Sequence, residues 1–157
     1  PALLIADEPT TALDVTVQDQ ILRLLDRLRA ERQMSLVLVT HDLAVVRGFT
    51  ERVAVMYAGQ VVETGPTELI FENPRHHYTV GLLDSIPDLT RPHHSELRAV
   101  PGSPPSLLAP PAGCRFAPRC PAADEQCATT PPVTGDGAHA VACWHPVTVH
   151  TKERAGV

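Results

Sequence analysis

Apolar residues are bunched in the first 86 positions and thin out afterwards. Leu3 to Ala6 is an unbroken apolar run ending at Asp7-Glu8, the pattern of a central parallel strand buried on both faces. Val17, Ile21, Leu24, Leu25 and Leu28 then recur at three- and four-residue spacing among charged residues, which predicts an amphipathic helix. Asp14 or Thr16 can cap it, and Thr16-x-x-Asp19 has the form of a capping box. Leu36 to Thr40 predicts a second strand, so a right-handed strand–helix–strand crossover is the default. A short helix is expected over residues 42–49. Arg52 to Tyr57 and Gln60 to Glu63 alternate as two strands around the turn Ala58-Gly59, an antiparallel hairpin. Pro66, after Gly65, is placed in the first turn of a helix running to Phe71, and Asn73 is read as the cap of the next one.

Twelve of the sixteen prolines lie from Pro87 onward, and all four cysteines lie from Cys114 onward. The chain is therefore expected to divide near Pro87 to Pro92 into a regular part and a proline-rich part with almost no regular structure. The stretch from Pro101 to Pro111 reads as an extended linker, and residues 148–157 as a frayed terminus. Such a second part lacks the apolar residues for a core of its own, so it needs a staple or a partner surface. No apolar run approaches the roughly 18–20 residues that span a bilayer. No basic segment leads into an apolar one, so no secretory signal is read. A net charge of −5 argues against a nucleic-acid-binding surface. Pro1 stands immediately before a core strand, so we expect the chain to be the C-terminal portion of a longer protein.

The first candidate chemistry is at Asp7 and Glu8. Acids at the carboxyl end of a central parallel strand sit where such sheets bind ligands. A carboxylate there suits a hydrated Mg²⁺, and its neighbour suits general-base work on water. On those two residues alone, a helix cap or loop turn explains the pattern equally well. The longer run Leu3-Leu4-Ile5-Ala6-Asp7-Glu8-Pro9-Thr10-Thr11-Ala12-Leu13-Asp14 resembles the Walker B motif and D-loop of ABC-type ATPases. Val39-Thr40-His41-Asp42-Leu43 resembles the switch histidine of that family, and Met56 to Gly65 its following hairpin. Thr11 stands where the family usually has serine.

The resemblance implies an α/β fold: part of a P-loop NTPase domain of ABC type, with parallel strands and helices, followed by an irregular Pro/Cys-rich extension. It implies ATP and Mg²⁺ as cofactors. Asp7 would hold Mg²⁺, Glu8 would polarise the attacking water, His41 would touch the γ-phosphate, and Asp14 would meet a second ATPase subunit. The bottom-up reading of His41 agrees, since a histidine beside those acids can sense charge in the crevice. No G-x-x-x-x-G-K-[ST] run and no Gly-Lys pair occurs, nor a Leu-Ser-Gly-Gly-Gln type signature. The chain alone is therefore expected to be inactive.

Asn73 to Thr79 and Leu82-Leu83-x-Ser85-Ile86-Pro87 resemble the C-terminal extension of the oligopeptide/dipeptide importer subgroup, with His77 where proline is usual. His76 and His77 are otherwise read as surface histidines. Cys114, Cys120, Cys127 and Cys143 follow the spacing C-x5-C-x6-C-x15-C. By residue type they fit disulfides, a structural zinc with His139 or His145 substituting, an iron–sulfur cluster, or free thiols. Cys114 to Pro121 and Val141-Ala142-Cys143 resemble the subgroup's tail, which implies a 4Fe-4S cluster on the four cysteines, with Zn²⁺ the alternative. Arg115 and Arg119 either donate to cluster sulfurs, hold the tail against the ATPase core, or lie in solvent.

The expected organisation is 1–72 as the ATPase part, 73–147 as the cysteine-bearing extension and 148–157 as a disordered tail. The implied partners are a second ABC ATPase subunit, two transmembrane permease subunits and, indirectly, an extracytoplasmic solute-binding protein, with no nucleic acid. The implied location is peripheral, on the cytoplasmic face of the inner membrane. The rivals are a non-transport ABC ATPase and a stand-alone metal or iron–sulfur module built on the four cysteines.

Overall fold

A computed structural model describes residues 1–86 and 100–148, so the division expected near Pro87 to Pro92 and all but the first residue of the expected tail lie outside the described residues. The chain is a mixed α/β protein with one parallel and one antiparallel sheet, in two compact units, Pro1–Phe49 and Thr50–Val157. No helix among the described residues is long and apolar enough to cross a membrane.

The first unit is the crossover. Strand β1 (Leu3–Asp7) and strand β2 (Ser35–Val39) pair in parallel, from Leu3↔Ser35 to Asp7↔Val39, with helix α1 (Val15–Arg32) between them in sequence. Helix α2 (Leu43–Phe49) follows. Asp14 is the N-cap of α1, accepting the N–H groups of Thr16 and Val17 at 3.0 Å each. Thr16 thus lies inside the helix and no capping box forms. The inward stripe of α1 includes Leu22, whereas Leu24 is exposed, because a 3.6-residue repeat continues Gln18-Ile21-Leu22-Leu25 more closely. The expectation that β1 is covered on both faces is not met. Leu3, Ile5, Val37 and Val39 share one face, and all are exposed, Ile5 by 64%. Among the described residues this sheet has only two strands.

The second unit is built on β3 (Arg52–Tyr57) and β4 (Gln60–Pro66), joined at Ala58 (φ 47°) and Gly59 (φ 81°). Both turn residues have left-handed backbones, the geometry that matches a two-residue hairpin to the strand twist. The cysteine-bearing segment is less irregular than its composition suggests. Strands β5 (Val133–Gly135) and β6 (Ala140–Ala142) extend this hairpin into a sheet of order β3-β4-β6-β5. Helix α3 (Thr67–Glu72) begins after Pro66, which is its N-cap and still belongs to β4. Helix α4 (His77–Asp84) is capped by His76, whose Nδ1 accepts the Tyr78 N–H at 3.0 Å, and not by Asn73. Val55, Tyr57, Val62, Ile70, Phe116, Cys114 and Cys127 form the core. Tyr57, Tyr78 and Phe116 pack ring against ring there.

A buried acid holds these pieces together. Glu63, on β4, is 1% exposed. One carboxylate oxygen accepts the Arg75 N–H at 2.7 Å and lies 2.7 Å from His139 Nε2; the other accepts the His76 N–H at 3.0 Å. Gly65 leaves room for the His139 ring, which would stand 3.1 Å from a Cβ at that position. Asp136 presents His139 by accepting the N–H groups of Ala138 and His139 at 3.0 Å each.

Two measurements test this arrangement. Glu63→Ala strips one buried partner from His139 and two backbone N–H groups. In urea unfolding it is expected to cost about 3–5 kcal/mol; a cost under about 1 kcal/mol would show that the acid is dispensable. His76 is 1% exposed, and burial pushes its pKa down from 6.5 to about 4. The unfolded chain therefore takes up this proton first. Stability should fall as pH drops from 6.5 towards 4, by roughly 3 kcal/mol across the window. In His76→Asn, which keeps a capping acceptor and does not titrate, unfolding measured across that window should show a correspondingly shallower slope.

Candidate functional site

At the carboxyl end of the parallel pair the chain turns sharply. Glu8 adopts φ 46° and Ala12 φ 63°, left-handed conformations unusual for residues with side chains. The Glu8 N–H donates to Val39 O at 2.8 Å, which continues the ladder one residue past β1 and brings Glu8 to the strand end that carries His41. His41 Nδ1 lies 3.2 Å from Glu8 Oε1, and the Thr11 hydroxyl donates to Glu8 Oε2 at 2.9 Å. These two contacts, Thr11 foremost, hold the exposed Glu8 carboxyl below its ordinary range. It stays ionised and aimed, as a proton acceptor must be. Asp7 is exposed and its side chain takes no protein hydrogen bond among the described residues, which leaves its carboxylate open to a cation.

The structure thus brings Glu8 and His41 together and places Asp7 beside them. Asp14 is instead occupied as the α1 cap. Two supporting residues were missed in the sequence. Thr11 fixes the second Glu8 oxygen. Gln18 donates to Asp42 Oδ2 at 3.1 Å, tying the first turn of α1 to the loop that carries His41. Burial pushes the Asp42 carboxyl up, but the Gln18 amide and the N–H groups of Ala44 and Val45 outweigh it and keep it low. A hydroxyl three residues after an acid was the only sequence signal for Thr11; nothing local marked the Gln18 contact.

The second candidate centre is in the other unit. Cys114, Cys127 and Cys143 are buried, Cys120 is half-buried, and none forms a disulfide. The Cys114 N–H donates to Cys127 O at 3.0 Å, pinning the two loops back to back. Gly113 allows this approach, since a Cβ there would lie 2.3 Å from Cys127 O. Burial raises the thiols of Cys114, Cys120 and Cys143 against the lowering effect of backbone N–H groups; Cys127 raises all three further, Cys114 also raises Cys120 and Cys143, and Cys143, which Cys120 raises too, is pushed up to about 11. The four therefore share one electrostatic neighbourhood. The three-residue 3-10 turn Ala117–Arg119 lies between Cys114 and Cys120, and a second, Glu125–Ala128, carries Cys127.

Arg115 and Arg119 grip the protein and not open solvent. Arg115 donates to the Ala58 carbonyl in the β3–β4 turn. Arg119 donates to Pro101 O at 2.6 Å, Val100 O at 3.0 Å and the Tyr57 hydroxyl at 3.1 Å. His77 is not a free surface residue either, since its Nε2 lies 3.0 Å from His145 O. His139, a possible metal ligand by residue type, is committed to Glu63.

These geometries define an exposed acid–histidine pair in one unit and a group of four cysteines in the other. Residues 62–127 match the family model described as the oligopeptide/dipeptide transporter, C-terminal region. The chain is 52% identical over 134 residues to the oligopeptide transport ATP-binding protein OppD of Haemophilus influenzae, covering 85% of this chain and 41% of that relative. It is 55% identical over 133 residues to a putative peptide import ATP-binding protein of Brucella abortus, covering 85% and 40%. A similar protein of Brucella ovis is 50% identical over 145 residues, covering 88% and 43%. The chain is similar to oligopeptide-transport ATP-binding proteins over most of its length and spans about two fifths of the length of these relatives.

Gly113→Ala should force the Cys114 and Cys127 loops apart. Modification of the reduced chain by a thiol reagent should then be faster than in wild type, where three of the four cysteines are buried. Equal rates would show that the loop contact does not shield them.

Proposed function

We propose that this chain supplies the C-terminal part of the ATP-hydrolysing subunit of an ABC importer for peptides. The observation that carries it is the Glu8–His41 pair at the carboxyl end of a parallel strand pair, with Asp7 beside it and Thr11 fixing the acid. In this reading Asp7 holds Mg²⁺ on ATP, Glu8 accepts a proton from water, and His41 orients Glu8 towards the γ-phosphate. Asp14 stands in the loop that faces a second ATPase subunit. The subunit sits peripherally on the cytoplasmic face of the membrane and drives two permease subunits fed by a solute-binding protein. The names of the relatives support peptides as the cargo.

In the same reading, Cys114, Cys120, Cys127 and Cys143 hold an iron–sulfur cluster with a structural role. A tetrathiolate zinc needs sulfurs about 3.8 Å apart, given Zn–S bonds of about 2.3 Å. Among the described residues no three of these sulfurs come within 4.8 Å of one another. Four thiols set this wide suit a polynuclear centre better than a single ion. The cluster would supply a rigid crosslink and an electron store.

The test is a chimera in which this chain replaces the matching segment of the Haemophilus influenzae relative. It should hydrolyse ATP, and Glu8→Gln should cut kcat by about 10²–10⁴-fold while nucleotide binding persists. Turnover unchanged by Glu8→Gln would overturn the assignment. Anaerobic iron and sulfide analysis of the chain, with and without Cys120→Ser, tests the cluster separately.

A further inference from the structure

A third donor group shares one residue with the thiol centre and is otherwise distinct from it. Asp124, Cys127 and His145 bring a carboxylate oxygen, a thiol sulfur and an imidazole nitrogen within 4.8 Å of one another. His145 Nε2 approaches Asp124 Oδ2 to 2.9 Å, yet it is sealed from solvent and has no aligned hydrogen-bond partner. Two ligand-capable atoms this close, with no aligned hydrogen bond between them, are placed as ligands of a common ion would be. Asp124-x-x-Cys127 has the two-residue gap of zinc-binding pairs, and the Cys127 N–H donates to Asp124 O at 3.2 Å across a 3-10 turn. Asp124 uses its other oxygen on the Gln126 N–H at 3.0 Å, which orients the carboxylate. His145 is held from both sides: its carbonyl faces His77 Nε2, and the neighbouring Trp144 donates to Thr129 O at 3.2 Å.

We propose that Asp124, Cys127 and His145 form a Zn²⁺ site with one position left for water, and that it fills when the four-cysteine centre is empty. Mixed oxygen, nitrogen and sulfur donors suit this borderline ion. Ligand separations of about 3.3–3.7 Å follow from zinc bond lengths, so the three atoms need only settle around the ion, and Asp124 and His145 need only part slightly. On binding, the Cys127 thiol gives its proton to solvent and the sulfur bonds the metal. Cys127 belongs to both donor sets, so the two occupancies exclude each other. The proposal does not depend on the ATPase reading.

The experiment titrates Co²⁺, then Zn²⁺, into the full 157-residue chain stripped of metal by a chelator under reducing conditions. One equivalent should bind, with a thiolate-to-cobalt charge-transfer band that Zn²⁺ displaces. Asp124→Asn and His145→Gln should each weaken affinity at least about 10-fold. Both residues are part-exposed, and Trp144 fluorescence reports whether the fold is kept. Cys127→Ser should abolish the band, Cys120→Ser should leave it, and Zn²⁺ loading should block later iron incorporation. No binding, binding indifferent to Asp124→Asn and His145→Gln in folded protein, or a band lost in Cys120→Ser would each overturn the site. The last would assign the metal to the thiols alone.

Discussion

A carboxylate removed from water is tolerated only when charge and lone pairs are met by donors in place, because a lone buried charge costs several kcal/mol. Glu63 satisfies this with groups from two separate stretches: the turn that leads into and caps α4, through Arg75 and His76, and the β5–β6 hairpin, through His139. Each of those stretches is weak alone. Strands of three residues have little ladder of their own, and α4 starts on a histidine cap. Their common acceptor sets where each lies on β4. The consequences reach the thiols, since Cys143 follows β6 directly.

Much of the first unit was legible because its signals are local. The apolar run of β1, the helical repeat of α1 and the Val/Leu-rich β2 each appear within a few residues. The second unit was less so. Val133 to Gly135 offers no alternation long enough to mark a strand; it pairs only because β6 does, and β6 only because β4 leaves an edge. Glu63 reads only as the end of an alternating strand, and His76 as a surface histidine. Both are buried because of partners more than ten residues away, information that no periodicity carries. Glu8 and His41 were readable as a pair because strand ends of a crossover meet by construction. The roles of Thr11 and Gln18 depend on side-chain rotamers, which spacing does not encode.

The two arginines beside the cysteines answer a question left open by composition. They could have served sulfur atoms, solvent or the rest of the protein. The structure commits them to backbone carbonyls of the β3–β4 turn and of residues 100 and 101, with one further bond to Tyr57. A planar guanidinium with several donors is suited to this, since one side chain can gather two segments at once. The thiol loops are thereby fastened to the tip and flank of the hairpin.

The bond between Glu63 and His139 spans 76 positions of chain. The length-dependent entropy of closing a loop of that size is about 4 kcal/mol, and no contact rewards it until the last strand is present. During synthesis, β3 and β4 leave the ribosome long before β6 exists. In that interval β4 is an open edge with an acidic residue in its middle, and an acid on an unpaired edge disfavours pairing with another copy. The residue that later seals the unit thus first acts as a guard on its incomplete edge.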